Sequence, residues 1–487
     1  MPVRITRSLK LPPGPPRHCL TGNLRDIPLN SRPWETYNQW KKRFGDLVYL
    51  NIFGRSLLFV NSRRLASELF DVRGAIYSNR FRSTMACDLG GFDWSVIFMP
   101  PNETWKHHRS ILQQQLGKLS MVQHQITLEK HSRNLLALLF HRPLGFLEHS
   151  RHAIGAMILE STYGLSIQAE NDPHVEVAER AVQLFMDMLL PGRHLVDILP
   201  FLKYIPSWFP GTAFKQKANE MKIHIAAMRN EPFAAVKAAL KAGNVSPSFV
   251  STILEAQSAS NDSFGKGKID EELIKSVGAT IYFAGIDTTE LTIQFFFIAM
   301  ILYPDIQKAA QEELKKVIGT NSFPTFKDRP NLPYINALCK EVLRWYPVTP
   351  LGFPHVLKQD DVVDGYFVPK GTLVMGNTLS FLRSEDIYGP DGDIFNPERF
   401  LKEGVKDPDP AFGYGRRVCP GRYLADNILF IIVASVLYAF DIKPDEKNLP
   451  NLDEFMPGFV PRAKPFGCKI TPRTSAMIPV LEHLTNR

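Results

Sequence analysis

What the cysteines lack is company. Cys19, Cys87, Cys339, Cys419 and Cys468 are odd in number, widely spaced, and form no C-x-x-C pair. That argues against a disulfide framework and a structural zinc site, and it points to a reducing compartment or a cytosolic face. Basic residues also lack clustering. No run of five or six occurs and no nucleic-acid motif is present, so the net charge of +8 reads as a solvated surface or a docking surface for an acidic protein. The first ten residues, MPVRITRSLK, have no apolar stretch of the signal-peptide kind. The longest apolar runs, FFFIAMILY (295–303) and ILFIIVASVLYAF (428–440), fall short of the roughly 18–20 residues that span a bilayer, and read as buried core helices. No G-x-G-x-x-G opens a βαβ unit, so no dinucleotide site is expected within the chain. There is no internal repeat.

What is present is an ordinary globular composition, 44% hydrophobic and 22% charged, with 33 phenylalanines to fill a core or an apolar pocket. LPPGPP (11–16) is a stiff proline-rich segment. Residues 46–62 alternate as strands around a turn at Phe53-Gly54-Arg55 and predict a hairpin. Residues 103–165 and 172–192 read mainly as helix, and 195–214 as a proline- and aromatic-rich connector of the kind that lines or covers a site. Residues 270–304 form one long helical pattern, capped by Asp270 and stopped by Pro304, apolar on most faces and therefore central. A helix at 334–347, short strands over 355–379, a last long helix at 420–440 and a β-rich tail to about 482 complete the chain. The expected fold is mainly α with small β-sheets and no boundary between independent domains.

The chemistry centres on AFGYGRRVCPGRYLAD (411–426). Cys419 there could be inert packing, half of a disulfide, a zinc ligand, a nucleophile or the axial ligand of an iron. Phe412, Gly415, Arg417, Cys419 and Gly421 form F-x-x-G-x-R-x-C-x-G. A thiolate just before a helix gains from the unpaired N–H groups and positive helix end, which lower its pKa. The glycines allow close backbone approach to a flat ligand, and Arg417 can meet a carboxylate on it. These needs match a haem with a cysteine thiolate ligand and propionates to pair.

The segment resembles the cysteine loop of the cytochrome P-450 family, the haem-thiolate monooxygenases, and other motifs follow in the family's order. Glu341-Val342-Leu343-Arg344 is its E-x-x-R and Pro397-Glu398-Arg399-Phe400 its P-E-R-F; the resemblance implies a buried structural triad of Glu341, Arg344 and Arg399. AGIDTT (284–289) is similar to the oxygen-activation stretch. Dioxygen cleavage consumes protons, and Asp287 with Thr288 can deliver them, while Gly285 leaves room beside the helix. WKHHR (105–109) matches W-x-x-x-R, so Trp105 and Arg109 can face a propionate, and His355 falls where relatives place a propionate-binding residue. The connector resembles fungal microsomal members near O-methylsterigmatocystin oxidoreductase and other secondary-metabolite hydroxylases.

The resemblance implies haem b as cofactor and NADPH as an indirect electron source. The partners it implies are an NADPH–cytochrome P-450 reductase, with cytochrome b5 as a second donor, and a hydrophobic small-molecule substrate. No nucleic acid is expected. Lys106, Arg416 and Arg422 are candidate docking cations, and residues 78–98, Phe283, Ala284 and 349–353 candidate pocket residues. The implied location is the cytosolic face of the endoplasmic reticulum. Residues 1–16 would be an N-terminal segment and hinge without the family's membrane anchor, which is either lost or trimmed, left out by an incomplete gene model, or replaced by peripheral membrane contact, and 17–487 a single catalytic domain. Four positions depart from the family pattern. Pro101-Asn102 replaces a tyrosine-glycine pair, and Leu379 and Leu382 replace a tryptophan and a histidine in the strand expected after Asn377, loosening local packing. The alternatives are a haem-thiolate isomerase or dehydratase, which tends to lose the acid–alcohol pair kept here, and a haem-binding sensor without turnover.

Overall fold

In the computed structural model the described residues are 9–28, 32–168, 172–188, 194–259, 270–319, 322–456 and 460–485. The start of the N-terminal segment, residues 1–8, lies outside them. The long helix runs from Glu271 to Leu302. The Asp270 side chain accepts from the Glu272 N–H, and acids fill the first turn. Its 32 residues extend about 48 Å. Apolar residues lie on every face because neighbours surround it, and we call it the central helix.

Helix Phe146–Tyr163 lies along it closely, since a Cβ on Gly285 would come 2.7 Å from Ile158 Cδ1. Gly285 therefore serves helix packing as well as space in the cavity below. Helices Pro173–Met188, Pro333–Trp345 and Arg422–Ala439 complete the surroundings. By length and composition the central helix and Arg422–Ala439 could each cross a membrane, but most of each is buried inside the protein.

A five-stranded sheet flanks this body, with strands in the order 47–52, 55–60, 373–376, 355–356, 79–80. The predicted hairpin forms its edge. Ile52 pairs with Arg55, and Phe53 (φ 48°) and Gly54 (φ 82°) make a tight turn that needs two left-handed residues. At the other edge Arg80 pairs with His355, so one short ladder presents both. One continuous buried apolar cluster runs from Trp34 to Leu481.

Three expectations are corrected. The tail does not end in strands; after Cys468–Pro472 it turns into helix Met477–Thr485, held by buried Leu481. The segment after Asn377 is a helical turn, Thr378–Leu382, because the Asn377 side chain accepts from the Ser380 N–H and starts it. Leu379 and Leu382 are fully buried there, so their presence leaves no loose packing. The connector at 195–214 contains short helices, and none of its residues lines the cavity described next. Asp197 anchors it by accepting from Ser83 Oγ and the Met85 N–H.

Candidate haem site

A cavity of about 310 Å³ lies between the central helix and the Cys419 loop. Ala284, Gly285, Thr288 and Thr289 form one wall. Phe412, Arg417, Cys419 and Gly421 form the facing wall, and Trp105, Arg109 and His355 close the side. Nearly all the residues predicted to hold or face a cofactor thus border one space.

The loop that carries Cys419 is shaped by backbone contacts. The Cys419 N–H donates to the Phe412 carbonyl at 2.7 Å. Gly415 has φ +49°, and a Cβ there would sit 2.1 Å from the Phe70 carbonyl oxygen, so no other residue fits. A Cβ on Gly421 would lie 3.9 Å from Cys419 Sγ, against the sulfur's surface. Cys419 is partly exposed, and the cavity is what it is exposed to. The expected lowering of its thiol pKa is reversed. Burial pushes the thiol up, outweighing the Gly421 N–H and the Arg109 and Arg422 charges that pull it down. An iron cation would supply the missing positive charge.

Three guanidinia border the same cavity as the sulfur. Arg417 donates to the carbonyls of Ser78 (2.8 Å), Val96 and Met99, and its guanidinium lies 4.4 Å from the centre of the Trp105 ring. Arg109 donates to the Val418 carbonyl. The third, Arg80, was not singled out from the sequence. It donates to the carbonyls of Phe353 and Pro354 at 2.6 and 2.8 Å. Nothing local marks Arg80; only the strand pairing with His355 reveals it.

Among the described residues no carboxylate forms an ion pair with any of the three. Burial, then mutual repulsion, pushes Arg80 well below its ordinary range and Arg417 down to about 9. Burial also lowers Arg109. The Nε atoms of Arg80 and Arg109 are buried without a partner. His355 donates from Nδ1 to the Tyr77 carbonyl at 2.7 Å. Burial and the neighbouring Arg80 and Arg417 keep it neutral. A neutral ring with Nδ1–H engaged offers only an acceptor at Nε2. A carboxylate placed there would favour the imidazolium and gain a donor.

Uncompensated cations around an apolar cavity that also holds a thiol fit one kind of occupant, a flat apolar ring bearing carboxylates and a thiophilic metal. Haem, with two propionates, meets that description. Arg80, Arg109, Arg417 and His355 would hold the propionates and Cys419 the iron. The local helix start also fits, since Asn102 caps helix Glu103–Gln115 by accepting from the Trp105 N–H. The departure at Pro101-Asn102 is therefore a competent cap.

The triad residues meet as expected from the resemblance. Arg344 donates from Nε and Nη2 to the two Glu341 oxygens at 2.7 and 2.8 Å, and Arg399 Nε donates to Oε1 at 3.2 Å. Glu341 and Arg344 are fully buried and Arg399 nearly so. The remaining Arg344 N–H groups reach the carbonyls of Leu382, Gly392 and Ile394, tying helix Pro333–Trp345 to the segment before the Cys419 loop.

The predicted acid–alcohol pair is split between two faces of the central helix. Thr288 borders the cavity, and its hydroxyl donates to the Ala284 carbonyl at 2.7 Å, leaving its lone pairs free to accept. Asp287 does not border the cavity. It is buried on the adjacent face and paired with Arg151 at 3.1 Å and Arg462 at 2.5 Å. Glu290, Arg151 and Arg462, all in this cluster, were not singled out from the sequence, because their partners lie over a hundred residues apart.

Of the predicted pocket residues, Arg80 (within 78–98), Val96, Ile97, Ala284, Thr349, Gly352 and Phe353 border the cavity. Phe283 does not. It is buried behind the wall against Phe92 and Phe185, ring centres 4.7 and 4.8 Å away.

Comparison with known proteins places these features. The Cytochrome P450 family model matches residues 12–470. Cytochrome P450 monooxygenase 208 of Postia placenta is 38% identical over 476 residues, covering 96% of this chain and 91% of that one. Cytochrome P450 monooxygenase COX2 of Coprinopsis cinerea is 38% identical over 481 residues, with 97% and 91% covered. Cytochrome P450 monooxygenase ppsD of Aspergillus oryzae is 35% identical over 479 residues, with 96% and 89% covered. A zebra fish cytochrome P450, solved with progesterone, superposes with a TM-score of 0.76 over 90% of this chain and 99% of its own, at 24% identity, and so shares the fold.

Proposed function

Because the chain belongs to the cytochrome P450 family and is a haem-dependent monooxygenase that receives its electrons from a reductase, we propose that it oxidises an apolar small molecule of fungal secondary metabolism, of terpenoid, polyketide or indole type. The observation that carries this is the set of apolar side chains, Val96, Ile97, Ala284, Val348 and Phe353, that border the same cavity as Cys419. With the arginines engaged by propionates, apolar contact selects a substrate there.

When bound, haem supplies the iron at which dioxygen is reduced, one oxygen atom entering the substrate and the other leaving as water. The overall change consumes two electrons, originating in NADPH, and two protons. The chain's own residues hold the ring and manage the protons. Arg80, Arg109, Arg417 and His355 hold the propionates. Thr288 accepts a hydrogen bond at the cavity wall, and Asp287 is the proton donor behind it. Glu341, Arg344 and Arg399 brace the segment that leads into the Cys419 loop.

The electron donor is an NADPH–cytochrome P450 reductase, with cytochrome b5 as a second donor. Its docking is supported by Arg422, whose charge acts on Cys419, and by exposed Arg416 on the same loop; Lys106 contributes less, being paired with Glu103 at 2.6 Å. Residues 17–487 act as one catalytic domain. Contact with the cytosolic face of the endoplasmic reticulum is supported by the exposed apolar side chains Phe201, Tyr204, Trp208 and Phe209.

The test is spectroscopic and catalytic. The reduced, carbon-monoxide-bound protein is expected to show the thiolate-shifted Soret band, and Cys419→Ser to abolish it. Survival of the band would remove the assignment of Cys419. NADPH consumption with reductase, stimulated by apolar candidate substrates, is expected; its absence across terpenoid, polyketide and indole scaffolds would overturn the substrate class.

A further inference from the structure

The acidic face of the central helix holds two carboxylates, not one. Asp287 and Glu290 are three residues apart and both buried. Two guanidinia bridge them. Arg462 donates from Nη2 to Asp287 Oδ1 at 2.5 Å and from Nη1 to Glu290 Oε2 at 2.8 Å. Arg151 Nη1 lies 3.1 Å from Asp287 Oδ1 and 3.6 Å from Glu290 Oε2. On the outer side, Arg151 Nε donates to Glu179 on helix Pro173–Met188 at 2.8 Å, and Glu179 reaches the surface. These are the charged groups that face Glu290: Arg151 from helix Phe146–Tyr163, Arg462 from strand Arg462–Ala463, Asp287 on its own helix, and Glu179 through Arg151.

A proton donor held by two guanidinia, as Asp287 is by Arg151 and Arg462, must loosen both contacts when it is neutral. Neutralising it would leave two cations buried without a partner, unless another carboxylate already holds them.

We propose that Glu290 is a positioning residue for proton delivery: it retains Arg462 and Arg151 when Asp287 is neutral, so that Asp287 can take a proton from the Glu179 side and pass it toward Thr288. This rests on the reading of Asp287 as the proton donor. Glu290 undergoes no bond change itself; the proton enters and leaves through Asp287, and Arg462 moves from a shared to a single carboxylate. Burial already raises the Glu290 carboxyl, while Arg462 and Arg151 pull it back toward the charged form the role requires.

The deciding measurement is a thermal double-mutant cycle on the haem-loaded protein, with Asp287→Asn, Glu290→Gln and the pair. Either carboxylate alone can hold the guanidinia, so the double variant is expected to melt lower than the sum of the single shifts, by about 3 °C or more. Additive shifts would overturn the shared clamp. A second arm follows peroxide formed per NADPH, with reductase and 7-ethoxycoumarin as probe. Glu290→Gln is expected to raise the peroxide share several-fold at neutral pH, because both guanidinia then grip Asp287. Lower pH, or Glu290→Asp, should restore coupling. A defect unchanged by pH would mark Glu290 as a packing residue and overturn the inference. If Asp287→Asn leaves coupling at the wild-type level, the proton-donor reading fails, whatever the thermal cycle shows of the clamp.

Discussion

Two groups of arginines withdrawn from water lie on opposite sides of the same cavity wall, and they are built on opposite principles. Arg80, Arg109 and Arg417 have no acidic partner among the described residues, and burial shifts all three downward. Arg151 and Arg462 are shared among Asp287, Glu290 and Glu179, and those carboxylates, outweighing burial, shift both upward. The first group is electrically incomplete within the polypeptide, and in the proposed function a ligand completes it. The second is complete within the polypeptide, and a change in one member must be absorbed by the rest. A buried cation without an acid is thus a sign of a binding site, and a buried cation between two acids a sign of an internal device.

The contrast predicts opposite responses to the same kind of substitution. The largest effect is expected from Arg462→Met. It leaves Asp287 and Glu290 dependent on Arg151 and should destabilise the protein by about 3–5 kcal/mol, read from denaturant midpoints. Glu290, whose carboxyl burial already raises, would then be held less firmly charged, so the deficit should shrink as pH falls and it protonates. A variant as stable as wild type would dissolve the distinction between the two groups.

Arg109→Met removes a cation that has no acid. The haem-free protein is expected to become more stable, by about 1 kcal/mol, while haem affinity falls about 10–100-fold. Haem titration of the apoprotein and its unfolding midpoint check both halves. Destabilisation of the haem-free form would show that the guanidinium is structurally complete as it stands.

The smallest effect concerns His355. Its folded-state pKa lies below the ordinary 6.5 because of burial and the charges of Arg80 and Arg417. As pH falls below about 6.5 the unfolded chain takes up a proton that the folded haem-free protein refuses, so folded stability declines. With haem bound, a propionate supports the imidazolium and the decline should be shallower. His355→Gln should erase the difference between the two acid limbs, measured by thermal melts from pH 7.5 to 5.

Much of the site is legible along the chain, for a physical reason that differs by residue. Cys419, Gly415 and Gly421 are readable because a tight loop around a ligand imposes its demands on neighbours in sequence. Glu341 and Arg344 are readable because helical spacing puts them on one face, and Asp287 with Thr288 because polar residues in an apolar helix need a reason. Arg80 is not readable, since one arginine among 57 basic residues gains meaning only when a strand places it opposite His355. Glu290 likewise looks like the end of a polar interruption until Arg151 and Arg462 arrive from distant elements.

The same division separates what local order determines from what packing decides. Sequence alone sufficed for the long central helix, the hairpin at its Phe53-Gly54 turn, the cysteine loop and the family, because caps, turns and ligand loops act over a few residues. Tertiary structure alone decided which cations lack acids, that Asp287 turns away from the cavity beside Thr288, that Phe283 stands behind the wall, and that 378–382 and 477–485 coil into helix. Those outcomes depend on which surfaces exclude water together, and desolvation is a property of the packed chain rather than of any segment within it.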